Sequence, residues 1–391
     1  MVISALSWHA LFMVKRFPDR LARAVFACAL APGVFATAAP SEIQSIGPLS
    51  GDVSSEFVSF SPEGHALVGR SKSGTGTETT FVWTTTKGIE LAPQGITELG
   101  AASTEARFVT GKLGTRPVRW DRSSGEILEL PAEFASAVRI SGDGRTITGY
   151  GVRTGSPVSM VRWKEGGSVS KVEYDGFFRS GSPGPISLDG SVATADIFTS
   201  GGESGSSSGF FWDSAGVKHS LEGSAVCGAV TADGQYVYGL DWSYNANGSK
   251  LNLVRWRQNG ALELLITSLS DSTFRLPVGV DATGSVLAMN RSVSGSPVPS
   301  ILRLGMGYQS LHDLFAASGI DMNGWSLTSV RAMSSDGYWF AGNGVNSSGQ
   351  SVAWVATIPA PGGLLAIGSI GLVSLRRRRV TASRCDDTFV M

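Results

Sequence analysis

Between residues 50 and 357 one short pattern keeps returning, and a period of this kind constrains the fold more than any other property of the chain. Its clearest copy is Val138-Arg139-Ile140-Ser141-Gly142-Asp143-Gly144-Arg145-Thr146-Ile147-Thr148-Gly149-Tyr150-Gly151, followed by a polar loop and Val161-Arg162-Trp163. Parts of it recur as Ser61-Pro62-Glu63-Gly64 with Trp83, Ser187-Leu188-Asp189-Gly190 with Trp212, and Thr231-Ala232-Asp233-Gly234 with Trp256. Asp281-Ala282-Thr283-Gly284 follows with Leu302 in the Trp position, then Ser334-Ser335-Asp336-Gly337 with Trp354, while a degenerate copy keeps only Trp120. Successive Trp-position residues lie 37, 43, 49, 44, 46 and 52 apart. That spacing fits a unit of about 45 residues with loop insertions, the size of a four-stranded propeller blade.

Each unit has a local logic. An alternating strand runs into an Asp-Gly hairpin whose glycine accepts positive φ, a second strand follows, and a third strand ends at the Trp. A Gly turn such as Gly166-Gly167 leads to a fourth. One blade cannot cover both its apolar faces, so the units must stack, and closure removes the exposed edges. The chain is therefore expected to be all-β: a β-propeller of seven four-stranded blades over residues 40–357, monomeric, with Ser41 to Leu49 available to complete the last blade. An open β-solenoid is the structural rival, although 45 residues is long for one of its repeats. With 50 glycines, abundant serine and 16% charged residues, the composition suits short strands and turns better than helix bundles.

Few residues suggest chemistry. Lys+Arg and Asp+Glu balance at 32 each, so no net field draws the chain to nucleic acid. His65, His219 and His312 fall at unrelated phases of the repeat, and no metal-ligand spacing or cofactor motif is present. Gly205-Ser206-Ser207-Ser208-Gly209 matches a nucleophile-elbow pattern but sits in a Gly/Ser-rich loop without strand-turn-helix context. Asp143, Asp189, Asp233 and Asp336 read as turn formers. Cys227 is the one cysteine of the repeat region and reads as a buried apolar residue. Clustered Asp and Asn oxygens in 241–247 and 321–324 suit a weakly held hard cation, without the full loop motif. Trp242, Tyr244, Trp325 and Trp339 stand outside the repeated Trp position; they are candidates for stacking on a sugar or peptide, with packing as the alternative.

Both ends read as addresses. Lys15, Arg16, Arg20 and Arg23 precede an apolar run from Ala24 to Phe35 and then Ala36-Thr37-Ala38, a small-x-small cleavage site; residues 1–38 are expected to be a signal peptide cut after Ala38, with Met13 an alternative start. At the other end Ile358-Pro359-Ala360-Pro361 is followed by an apolar stretch through Leu375 and by Arg376, Arg377, Arg378 and Arg379. The apolar stretch reaches about 21 Å as a helix, a marginal membrane span whose arginines stay cytoplasmic and leave the repeats outside.

This tail, residues 358–379, resembles the PEP-CTERM family of sorting signals, with Ile-Pro-Ala-Pro in place of Val-Pro-Glu-Pro and residues 380–391 following as a short cytoplasmic tail. The resemblance implies a membrane-embedded sorting protease of the exosortase type as partner and a destination at the cell envelope or outer surface. An uncleaved tail anchor is the alternative. The repeats resemble the bacterial extracellular HAF repeat family, most closely over Leu314 to Gly319, Gly324-Trp325-Ser326-Leu327, Met333 to Gly337 and Ala341-Gly342-Asn343-Gly344. That resemblance implies a surface protein and no particular reaction. The expected role is a non-enzymatic module for adhesion, polymer or surface-glycan binding, or display; the rival is a secreted propeller lyase or hydrolase acting on glycans, with His and carboxylates converging at the channel mouth.

Overall fold

The computed structural model describes residues 41–152, 160–172, 178–199, 206–245, 248–269 and 276–359. Within them lie seven four-stranded antiparallel sheets. Blades 1 to 6 take residues 52–91, 96–129, 134–172, 178–220, 225–269 and 279–310, their strands paired in chain order. Blade 7 is composite. Ser326–Met333, Trp339–Val345 and Ser351–Thr357 are completed at the outer edge by Glu42–Ile46, with Glu42 opposite Thr357 and Ile46 opposite Ala353. The strand expected from Ser41 to Leu49 thus closes the ring. The leader, the Pro motif from Ala360 onward, the apolar tail and Arg376 to Arg379 lie outside the described residues. Among the described residues no helix is long and apolar enough to cross a membrane.

The core is divided into seven apolar layers, one between each pair of neighbouring blades. Each receives the residue at the Trp position of its later blade. Trp120 packs against Val68 and Val82 of blade 1, Trp256 against Phe211 of blade 4, and Trp354 against Ile301 of blade 6. Trp83 reaches back to Ala341 and Val355 of blade 7, so the first and last blades share a layer like any other pair. Trp212, Trp256 and Trp354 are at most 1% exposed. An indole is large enough to fill the wedge between two diverging sheets, and Leu302 does the same in blade 6 beside Leu240 and Leu251.

The Ser-x-Asp-Gly turn joins the innermost strand of a blade to its second. In blade 3 the Ser141 hydroxyl donates to Asp143 and accepts the Thr146 N–H at 3.0 Å, while Asp143 accepts the Arg145 N–H at 3.0 Å. Blades 4, 5 and 7 repeat this set at Ser187, Thr231 and Ser334. Gly144, Gly190, Gly234 and Gly337 take φ between 68° and 77°. The carboxylates are thus consumed by their own turns, as their sequence context indicates. Blade 2 lacks the Asp-Gly pair: Glu105 and Ala106 take positive φ in a 3₁₀ turn, and Ser103 still accepts the Phe108 N–H at 2.8 Å. Arg122 binds the carbonyls of Glu105 and Ala106 and holds that turn in place.

Among the described residues one α-helix, Leu311–Ala317, lies in the connection from blade 6 to blade 7. Ser310 caps it by accepting the Asp313 N–H, and Leu311, Leu314 and Phe315 form the apolar side that packs under blade 7.

Candidate functional site

The innermost strands run from an open face to the turn face, and the two ends of the channel differ. At the turn face, backbone hydrogen bonds step from blade to blade through the residue after each turn Ser or its equivalent. Thr104 donates to Gly142, Gly142 to Leu188, Leu188 to Ala232, Ala282 to Ser335, and Ser335 to Pro62, at 2.6 to 3.0 Å. Pro62 has no N–H to continue the belt. This draws the strands together around a cavity of about 220 Å³. The open end is wider, about 580 Å³, lined by residues along the inner strands, among them Glu56, Arg139, Ser182 and Arg331, and by Tyr150, Asp196 and Phe198 of the second strands.

Arg139 of blade 3 and Arg331 of blade 7 line both cavities. Both keep accessible surface although they sit on innermost strands, and burial inside the ring lowers the pKa of Arg139. Each adjoins a β-bulge: pairing skips Val138 between Ala137 and Arg139, and skips Arg331 itself between Val330 and Ala332. A bulge re-aims side chains and so turns these arginines out of the inter-blade layers. Among the described residues neither guanidinium has a hydrogen-bond or ion-pair partner. Glu56, exposed, is a carboxylate on the same wall, and Tyr150 and Phe198 add aromatic surface.

Asp196 and Cys227 also reach this wall but are each 2% exposed. The Cys227 N–H donates to Asp196 Oδ1 at 2.8 Å across the junction of blades 4 and 5. Burial pushes the Asp196 carboxyl up to about 7 against the lowering effect of the Cys227 thiol and N–H. Burial, then the neighbouring Asp196 charge, push the Cys227 thiol well above its ordinary value, which leaves it a poor nucleophile. Asn290 and Asn343 occupy the position of Asp196 in blades 6 and 7, and each accepts an inner-strand N–H of the next blade, from Val330 at 2.9 Å and Phe57 at 2.8 Å.

The aromatic residues outside the repeat column do not form one surface. Trp242, in the second strand of blade 5, packs on the layer between blades 5 and 6, and Trp325 on the layer between blades 6 and 7. Trp339 begins the second strand of blade 7 at the opposite end of the ring, edge-on to His65 at 5.3 Å and close over Gly64. The Tyr244 backbone is in the second strand of blade 5; its side chain lies outside the described residues. The histidines are equally scattered. His219, on the outermost strand of blade 4, meets Asp213 at 2.9 Å and stacks on Phe211, His65 is at the turn face, and His312 is exposed on the helix. Among the described residues no group of three acidic, His or Cys side chains is placed to hold a metal ion.

The channel arginines escape a reading of the repeats because they occupy different columns, two residues before Ser141 and three before Ser334. The usable signal is the charge itself, on strands otherwise built from small and apolar residues.

No family model and no curated protein matches the chain. Solved structures do. An oligogalacturonate lyase in complex with manganese aligns with TM-score 0.54 at 12% identity, over 81% of this chain and 93% of that one. The β-propeller domain of the Trilobed protease from Pyrococcus furiosus aligns with TM-score 0.55 at 9% identity, over 77% and 95%. The Pyrococcus horikoshii acylaminoacyl peptidase gives 0.51 at 10% identity, over 80% of this chain and 53% of its own. At such identities the likeness is one of fold, and since lyase and peptidases share it, the fold admits catalysis as well as binding. The chain is a seven-bladed β-propeller of four-stranded antiparallel blades.

Proposed function

We propose that this chain is an exported, surface-held binding and display protein whose ligand site is the open end of the propeller channel. The observation that carries the reading is that cavity: about 580 Å³, within the range of ligand pockets, with two guanidiniums that have no hydrogen-bond or ion-pair partner among the described residues, on a wall that also carries Glu56, Asp196 and aromatic side chains. A charge held beside a cavity without a partner is available to a ligand. Export and tethering rest on the leader ending at Ala38, the Pro motif from Ile358 to Pro361 and the basic stop from Arg376 to Arg379, read by a sorting protease of the exosortase type.

The alternative is a secreted enzyme acting on glycans. What favours it is Asp196, whose carboxyl titrates near neutrality on the channel wall as a general base would. Against it, that carboxyl is 2% exposed and committed to the Cys227 N–H. Two experiments decide. Full-length protein on glycan and envelope-polymer arrays is expected to bind without altering the bound polymer; depolymerisation there favours the enzyme, and silence on every array counts against a binding role. Fractionation of tagged protein with and without Arg376 to Arg379 is expected to move the truncated form out of the envelope fraction, and identical distributions would sink the sorting claim.

A further inference from the structure

We infer that the open end of the channel takes an acidic saccharide, its carboxylates held by Arg139 and Arg331 and its sugar rings laid against Tyr150 and Phe198. This rests on the reading of the open end as the ligand site and adds the chemical class of its occupant. Blades 3 and 7 are separated by two blades one way round the ring and three the other, so the two guanidiniums approach the channel from nearly opposite sides. A ligand that engages both must carry more than one acid group or span the mouth. Guanidinium matches carboxylate in a planar, two-point contact, and its weak hydration lowers the cost of stripping water from it in a narrow cavity.

The remaining lining narrows the choice. Tyr150 and Phe198 offer aromatic faces of the kind that sugar rings pack against, and Ser182 supplies a hydroxyl for sugar hydroxyls. A peptide would seek main-chain pairing along a free strand edge. The inner strands interrupt that edge with bulges at Phe57/Ser59, Ala137/Arg139, Cys227/Ala229 and Val330/Ala332. The turn face is drawn in by the backbone belt, so a polymer enters by a short stretch or an end and does not thread the ring.

Isothermal titration of the full-length protein with a uronic acid trimer, the same trimer as its neutral methyl ester, and citrate tests this. The trimer is expected to bind, the ester to fail at matched concentration, and the affinity to fall as salt rises from about 0.05 to about 0.5 M. Arg139→Gln and Arg331→Gln should each weaken the trimer roughly tenfold or more. Glu56→Gln, which removes the like charge on the same wall, should tighten it, a test of opposite sign that stands even if an arginine variant fails to fold. Equal binding of ester and acid, citrate binding as well as the trimer, or indifference to all three substitutions would overturn the inference. Capture of a neutral glycan at the same mouth would overturn it while leaving the binding reading intact, whereas no binding of any glycan, acidic or neutral, would remove both.

Discussion

A bulge leaves an inner-strand N–H without its ladder partner, and the side chain that captures it sets how that blade junction responds to pH. Asn290 and Asn343 capture theirs as neutral amides, whereas Asp196 does so as a carboxyl raised from 3.8 to about 7. Where the capturing position holds Tyr150 or Leu240, the receiving residue of the next blade is Pro183 or Pro277, which has no N–H to satisfy. The folded protein holds the Asp196 proton more tightly than the unfolded chain. Its contribution is therefore complete below about pH 4 and is lost as pH climbs through about 7, by about 1.4 kcal/mol per unit of displacement. Asp196→Asn keeps the acceptor and removes the titration, so denaturant unfolding should show the variant gaining on the parent between pH 5 and pH 8. A parent whose stability holds level across that window refutes the assignment. Ser334 is fully buried in its turn, and Ser334→Ala leaves the Trp339 N–H without its acceptor; the variant should lose about 1–3 kcal/mol of unfolding free energy beyond a surface Ser→Ala control.

Elements that depend on local chemistry were legible in the sequence, and elements that depend on register were not. Asp-Gly turns and Trp-terminated third strands announce themselves because a tight turn needs particular residues and a wedge between sheets needs a large ring. The bulges are silent, since the extra residue is fixed by how two strands pair and not by its own type. That silence hid the channel arginines. The helix at Leu311 carried a readable Ser310 cap and an i, i+3, i+4 apolar set, but the surrounding β repeats gave no reason to look for it. Blade 2 kept its Ser103 and lost its Asp-Gly, which is why only its Trp120 could be recognised. A bulge also explains one glycine. A Cβ on Gly342 would lie 2.0 Å from the Ser329 carbonyl oxygen and 2.9 Å from the Trp354 ring. Gly342→Ala must push apart the bulge or the indole, and thermal unfolding should fall by at least several degrees, as expected of overpacking that costs roughly 1–3 kcal/mol. An unchanged melting point would show that the second strand slides freely.

The ring as a whole closes by pairing the first described strand with the last, and Glu42 faces Thr357 across that seam. A permuted chain in which a short linker joins residue 358 to residue 41, with new ends cut between Leu91 and Ile96, keeps every blade intact. It should fold to a ring of similar stability by circular dichroism. Removal of residues 41–49 instead strips the outer edge of blade 7 and the Ile46 contact with Trp83 and Ala353, and should yield aggregation or loss of cooperative unfolding. The same seam fixes an orientation. The Ile358 N–H bonds to Tyr338 in the turn of blade 7, so the polypeptide departs from the face that carries the backbone belt. If the tail tethers the protein as proposed, a leash attached there seats the ring belt-side down, like a cup on its base, and leaves the arginine-lined bowl facing away from its anchor.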